Sequence, residues 1–175
     1  AGCVLSKLAE LPVTMLGLRP TVPVKIDGND ARLMVDSGAF FSLLFPGAAA
    51  QFNMRLRELP AGMDIGGING TVKASLATAK SLRLAGQTLS NFDFIVGGTG
   101  ESGVAGVLGE NILGTEDIEY DLPEGMIRLF NPKGCGNANF AYWVGTKPYS
   151  VVQLEPGGPT HLIIATVVLN GHKVK

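Results

Sequence analysis

Residues 33–39 read Leu33-Met34-Val35-Asp36-Ser37-Gly38-Ala39. An unbroken apolar run that stops at a turn marks a strand buried on both faces, and Gly38 lets the backbone bend sharply just after it. Asp36 is thereby placed at the end of a buried strand, where a charge is costly unless it has partners. Ser37 adds a hydroxyl able to bond neighbouring backbone and hold the turn. Upstream, Val22–Ile26 and Ala31–Val35 flank the turn cluster Asp27-Gly28-Asn29-Asp30, which predicts a hairpin over 22–35. Pro12–Leu18 before it is β-like. Downstream, Phe40–Phe45 predicts another apolar strand, and Pro46 opens a short helix that ends at Asn53.

Composition agrees with a chain of short strands. Of 175 residues 24 are glycine, about twice the usual share, and 10 are proline, so long helices are not expected. The 46% hydrophobic and 17% charged content excludes a disordered or coiled-coil chain. A net charge of -1 gives no basic excess to attract nucleic acid or anionic lipid. The longest apolar run, Leu162–Leu169, is far short of a membrane span.

Further along, the glycine-laced Asp64-Ile65-Gly66-Gly67-Ile68-Asn69-Gly70 lies between β-like Arg55–Leu59 and Thr71–Ala77 and reads as the tip of a long, mobile hairpin. Ser81–Leu84 and Thr88–Val96 pair about Ala85-Gly86-Gln87. Val104–Leu108 is short and apolar, and Gly109–Leu113 has room for one or two helical turns. Ile118–Asp121 and Met126–Phe130 form a hairpin.

Three of these segments, in this order, resemble the retropepsin-like aspartic proteases. Asp36-Ser37-Gly38-Ala39 is similar to the family's catalytic loop. Ile65-Gly66-Gly67-Ile68-Asn69-Gly70 resembles its flap. Val107-Leu108-Gly109 resembles the apolar-apolar-glycine segment that threads behind the catalytic loop. The resemblance covers roughly residues 20–130. It implies an all-β fold, mainly β with one or two short helices, in a single-lobed, closed acid-protease barrel. It also implies an aspartic endopeptidase, with Asp36 as one half of a carboxylate dyad that activates water. Ser37, Gly38, Ala39, Val107, Leu108 and Gly109 would support the active-site loop, and residues 65–70 would close over a polypeptide substrate. Neither metal nor cofactor is implied. One such loop supplies one acid, so the second would come from a second lobe of the same full-length chain or from a homodimer partner. Retroviral members often carry an acid after the catalytic loop and an arginine after the threading segment. Here those positions hold Phe40 and Glu110, and the ion pair they could make is unavailable.

Near the C-terminus, Glu155-Pro156-Gly157-Gly158-Pro159-Thr160 reads as a linker. Residues 161–175 then resemble the first hairpin again: laying Gly171 over Gly28 sets Leu169-Asn170-Gly171 on Ile26-Asp27-Gly28 and Val167 on Val24. The counterpart of Asp36 would fall four residues past Lys175. The expected organisation is a lobe over 1–154, a linker over 155–160 and the first hairpin of a second repeat over 161–175.

The opening Ala1-Gly2-Cys3, without Met, is read as the start of an exported, periplasmic chain whose upstream segment has been removed. Three states are open to Cys3 and Cys135. They can form one disulfide, Cys3 can carry a lipoprotein anchor, or both can be free thiols.

Rival chemistries are weaker. Gly98-Thr99-Gly100-Glu101-Ser102-Gly103 spells a dinucleotide-binding pattern, but the glycine-rich chain after it is a poor helix. His161 and His172 are the only histidines, and no ligand cluster has metal-binding spacing. No Gly-x-Ser-x-Gly occurs. Glu116, Asp117, Glu119 and Asp121 read as an exposed strand face, and Tyr142, Trp143 and Tyr149 as packing for the C-terminal part, with an interface as the alternative. The remaining alternative is a non-catalytic peptide-binding module that keeps the acid-protease fold.

Overall fold

Asp27 and Gly28 both take left-handed backbone angles (φ 48° and 84°), as the tightest hairpin turn requires, and its twist matches that of the strands it joins. The same pairing of positive angles recurs at Ala85-Gly86 and Asn170-Gly171. A computed structural model describes residues 2–67, 70–100, 102–136, 138, 140–155 and 163–174. Ile68 and Asn69 of the expected flap, 156–160 of the expected linker and His161 lie outside the described residues.

In chain order the strands are β1 (Val4–Pro12), β2 (Thr14–Leu16), β3 (Arg19–Ile26), β4 (Asn29–Val35), β5 (Leu43–Leu44), β6 (Leu56–Arg57), β7 (Ile65–Gly67), β8 (Gly70–Val72), β9 (Ser75–Leu84), β10 (Gln87–Val96) and β11 (Gly106–Leu108). They continue with β12 (Asp117–Asp121), β13 (Met126–Lys133), β14 (Leu154–Glu155), β15 (Ile164–Ala165), β16 (Val167–Leu169) and β17 (His172–Val174). Two short helices, α1 (Pro46–Gln51) and α2 (Glu110–Leu113), interrupt them. Strands β3, β4, β11, β5, β10 and β9 follow one another around a ring. The ring closes because β3 also pairs with β9, Lys25 with Arg83 and Ile26 with Leu82. Closure leaves no open edge within the ring. The all-β, closed-barrel expectation is met.

Alternation along the strands fills this barrel. Val22, Val24 and Ile26 of β3, Leu33 and Val35 of β4, Leu82 of β9 and Phe94 of β10 are all buried, while Pro23, Lys25 and Arg83, which alternate with them, are exposed. Ala49 of α1 and Ile112 and Leu113 of α2 join the same core.

A second sheet, ordered β1-β13-β12, lies beside the barrel. The β character of Val4–Leu11 is hidden in sequence. Val4, Leu5, Leu8 and Leu11 do not alternate, because the pairing with β13 slips at Leu8, and such a bulge shifts the side-chain phase by one residue. The pairing of Val4 with Lys133 brings the two cysteines together, and Cys3 and Cys135 form a disulfide with Cα atoms 4.2 Å apart. The bond occupies the sulfur a lipid anchor at Cys3 would need and settles the three-way choice for the disulfide. It spans 132 residues, so its loss is expected to destabilise the fold by up to about 4–5 kcal/mol. Melting Cys3→Ser beside the oxidised protein checks this, and coincident melts would mean the bridge restrains little.

Three local expectations are corrected. Phe40–Phe45 is not a continuous strand: only Leu43 and Leu44 pair, because buried Ser42 is drawn to a polar partner described below. Tyr142, Trp143 and Tyr149 do not pack a core, being 56%, 61% and 48% exposed. Tyr142 instead stacks edge-on to Trp143 and donates its hydroxyl to Glu119. The acidic row of β12 is not a bare face, because the Arg128 guanidinium of β13 bonds Glu119 and Asp121 together with Glu10 of β1. Among the described residues no helix is long and apolar enough to cross a membrane.

Candidate active site

Asp36 follows β4 directly and inherits the strand's alternation. Leu33 and Val35 point into the core, at 0% and 6% exposure, so Met34 and Asp36 fall on the opposite side, both half-buried. The backbone N–H of Asp36 donates to the carbonyl of Leu108 (3.1 Å), and Ala39 N–H donates back to the Asp36 carbonyl (3.3 Å). The Gly38 N–H donates to Asp36 Oδ1 at 2.8 Å. That bond aims the carboxylate across its own turn, and a side chain at Gly38 would meet Oδ1 at 3.2 Å. Ser37 and Gly38 are exposed and Ala39 is half-buried.

Strand β11 supports the loop from behind. It runs parallel to β4, pairing Leu108 with Val35, and antiparallel to β5, so Val107 and Leu108 thread between them, nearly or fully buried. Glycine is needed here for space. A Cβ on Gly109 would lie 2.6 Å from the Ala39 carbonyl oxygen, and one on Gly106 only 2.0 Å from that of Leu43. Residues Asp36, Ser37, Gly38, Ala39, Val107, Leu108 and Gly109, expected to act together, are thus brought into one assembly.

Two residues central to that assembly were not singled out by sequence reasoning. Ser42, fully buried, donates its hydroxyl to Asn111 Oδ1 at 2.8 Å, and its own N–H donates to the same oxygen at 2.9 Å. The Gly109 N–H in turn donates to Ser42 Oγ at 3.0 Å. The hydroxyl thus donates one bond and accepts another, as burial demands. Glu110 and Asn111 N–H groups donate to the carbonyls of Ala39 and Phe40, both at 2.8 Å. A hydroxyl inside the apolar run Phe40–Phe45 was the available signal, since a buried polar group implies a partner. Asn111→Ala is expected to cost about 1–3 kcal/mol by leaving Ser42 N–H unsatisfied. A urea melt checks this, and an unchanged midpoint would show that water replaces the lost oxygen.

The flap residues form a separate two-stranded hairpin, β7 with β8, pairing Ile65 with Val72, Gly66 with Thr71 and Gly67 with Gly70. Ile65 is half-buried, and Gly66, Gly67 and Gly70 are exposed. A pocket of about 230 Å³ is lined by Arg19, Met34, Phe45, Thr99, Val104 and Val107. Met34 and Val107 belong to the strands that deliver Asp36 and Gly109, so the pocket lies on the Asp36 side of the barrel wall. Among the described residues, no group of three or more His, Cys, Asp or Glu is arranged to hold a metal ion.

Residues 22–116 match the profile of the family described as Aspartyl protease. Among solved structures, the EIAV protease complexed with the inhibitor HBY-793 is similar, at 23% identity and a TM-score of 0.47, over 58% of this chain and 90% of that one. A retropepsin-like aspartic protease from Rickettsia conorii is similar at 15% identity and a TM-score of 0.49, over 74% and 94%. No curated protein matches the chain.

Proposed function

The chain belongs to the aspartyl protease family, and from that premise we propose that it hydrolyses peptide bonds with a carboxylate pair of which Asp36 is one member. The observation that carries this is the hold on Asp36: one carboxylate oxygen bonded by Gly38 N–H and the backbone anchored to Leu108. The other member is an aspartate from a second lobe or a second copy. Two such carboxylates side by side share one proton, because both cannot stay charged. The ionised one takes a proton from water, and the water oxygen attacks the peptide carbonyl. The protonated one bonds the developing oxyanion, and a proton then passes to the leaving nitrogen. Ser37 bonds across to the partner loop. Residues 65–70 close over an extended peptide and pair with its backbone, and the pocket beside Met34 and Val107 takes an apolar side chain of the substrate.

In this reading residues 1–154 are the lobe, 155–160 a linker and 161–175 the opening hairpin of a second lobe. The C-terminal turn repeats the angles of the first, φ 49° and 83° at Asn170-Gly171 against 48° and 84° at Asp27-Gly28. Those angles also occur at Ala85-Gly86, so the apolar row carries the correspondence. The counterparts of buried Val24 and Ile26 are Val167 and Leu169, 47% and 62% exposed. An isolated two-stranded hairpin is marginal in water, and such a row needs a barrel to bury it. The disulfide supports an exported, periplasmic setting, where thiols stay oxidised.

The test is cleavage of an unfolded polypeptide at about pH 4–6, with and without a statine-type transition-state mimic. Cleavage blocked by the mimic is expected, and cleavage indifferent to it refutes the mechanism. Specific activity that rises with protein concentration assigns the second acid to another copy, and constant specific activity assigns it to the same chain.

A further inference from the structure

Gly98-Thr99-Gly100 opens the glycine-rich run that spells a dinucleotide-binding pattern, and the fold gives these glycines another use. The chain on either side is anchored. Gly97 N–H donates to the Leu44 carbonyl (3.1 Å), and Ala105 N–H donates to that of Arg32 (2.8 Å). Among the described residues no backbone hydrogen bond reaches Gly98, Thr99 or Gly100. What the two glycines meet is the ring of Phe45, the residue just ahead of α1. A Cβ on Gly100 would lie 3.1 Å from Phe45 Cβ and 3.2 Å from its Cγ and Cδ2, and one on Gly98 would lie 3.9 Å from Cε1 and 4.0 Å from Cδ1. Gly98 and Gly100 thus flank opposite edges of one ring, so closely at Gly100 that a side chain there would press on it. Gly98 also takes a left-handed angle (φ 73°), which glycine adopts at no steric cost.

Phe45 is itself fixed. Its N–H donates to the Ala105 carbonyl (2.9 Å), and its own carbonyl accepts from Ala49 N–H in α1 (3.1 Å). Phe45 and Thr99 both line the pocket that also includes Met34 and Val107. The ring therefore acts twice on one cavity. It lines the wall directly, and it packs against the two glycines that carry Thr99 there. A segment without hydrogen bonds is held in place by such packing, and it loosens when the packing is removed.

We propose that Phe45 determines which substrate side chain this pocket accepts: clasped between Gly98 and Gly100, its ring holds Thr99 at the wall and limits the pocket to one large apolar side chain the size of Leu, Met or Phe. The proposal rests on the reading of the chain as a protease and of this pocket as one of its subsites. The substrate class follows from the lining. Met34, Phe45, Val104 and Val107 offer apolar surface around a volume of about 230 Å³, and a pocket of this kind recognises mainly by shape and apolar contact.

The test is cleavage of a peptide set varied one residue at a time on both sides of the cut, with backbone amide relaxation measured on the same proteins. At one position the wild type is expected to favour Leu, Met or Phe over Ala by about tenfold or more. Phe45→Ala is expected to raise the Trp-to-Leu ratio of kcat/KM at that position alone by about tenfold, and Phe45→Leu is expected to fall between the two. A ring with a merely structural role would lower all rates alike and leave that ratio unchanged, which overturns the proposal. The order parameters of Gly98, Thr99 and Gly100 are expected to drop in both variants, and values equal to wild type overturn it as well. Relaxation needs no turnover. A protein that cuts no peptide while this segment loosens as stated refutes the protease reading and keeps the hold of Phe45 on Thr99. Should Phe45→Ala fail to fold, Phe45→Leu, which retains a large apolar side chain, decides by the same two measurements.

Discussion

Asp36→Asn is expected to abolish peptide cleavage and leave the barrel intact. The substitution keeps the shape of the side chain and retains an oxygen to accept the Gly38 N–H, now 2.8 Å from Oδ1. The loop is held mainly by backbone, through Asp36 N–H to Leu108 and Glu110 N–H to Ala39, and neither bond involves the carboxylate. The loss is confined to chemistry: an amide neither takes a proton from water nor shares one with a partner acid. Removing a general acid or base of this kind lowers the rate about 10²–10⁴-fold, and losing one member of a pair that acts only as a pair belongs at the upper end. The check is the initial rate of cleavage of an unfolded polypeptide at acid pH, with a thermal melt of the same preparation. Wild-type cleavage by Asp36→Asn would remove Asp36 from the reaction altogether.

Gly106→Ala is expected to unfold the barrel or weaken it severely. Gly106 does not take a left-handed conformation, so backbone entropy alone would favour alanine by about 0.4–1 kcal/mol. Steric conflict reverses that sign. The new methyl would lie 2.0 Å from the Leu43 carbonyl oxygen and 2.9 Å from Leu44 Cα. Both are backbone atoms of β5, which can retreat only by breaking its pairing with β11 and β10. A cost of about 3 kcal/mol or more follows, a large part of the 5–15 kcal/mol or so that holds a domain folded. Gly47 in α1 is the matched control: its Cβ would meet nothing within 4 Å, and Gly47→Ala is expected to stabilise by about 0.5–1 kcal/mol. Urea melts of the two variants should move in opposite directions. A Gly106→Ala midpoint equal to wild type would mean that β11 does not thread so closely between β4 and β5.

Much of this molecule was legible from local signals. The Asp27-Gly28 turn, the alternation of Val22, Val24 and Ile26, and the apolar run stopped by Asp36-Ser37-Gly38 are properties of a few consecutive residues, and steric limits on φ together with side-chain alternation convert them directly into hairpin, core face and loop. The pairing of β7 with β8 across the glycine-rich segment was legible for the same reason. Phe40–Phe45 misled because its hydrophobicity satisfies a strand pattern, whereas the one polar residue in it, Ser42, answers to Asn111, 69 positions away. Val4–Leu11 drew no strand reading, since one bulge erased the alternation that would have revealed it.

The sequence by itself determined the barrel's local vocabulary and the acid most suited to chemistry, because turn angles, strand periodicity and a charge at the end of an apolar run are set within a handful of neighbouring residues. Only the tertiary structure decided that β3 closes on β9, that Cys3 meets Cys135, that Ser42 and Asn111 clamp Gly109 behind Asp36, and that Gly98 and Gly100 flank the ring of Phe45. Each of these is a contact between distant positions. Its free energy exists only once the intervening chain has been ordered, so no short stretch of sequence can record it.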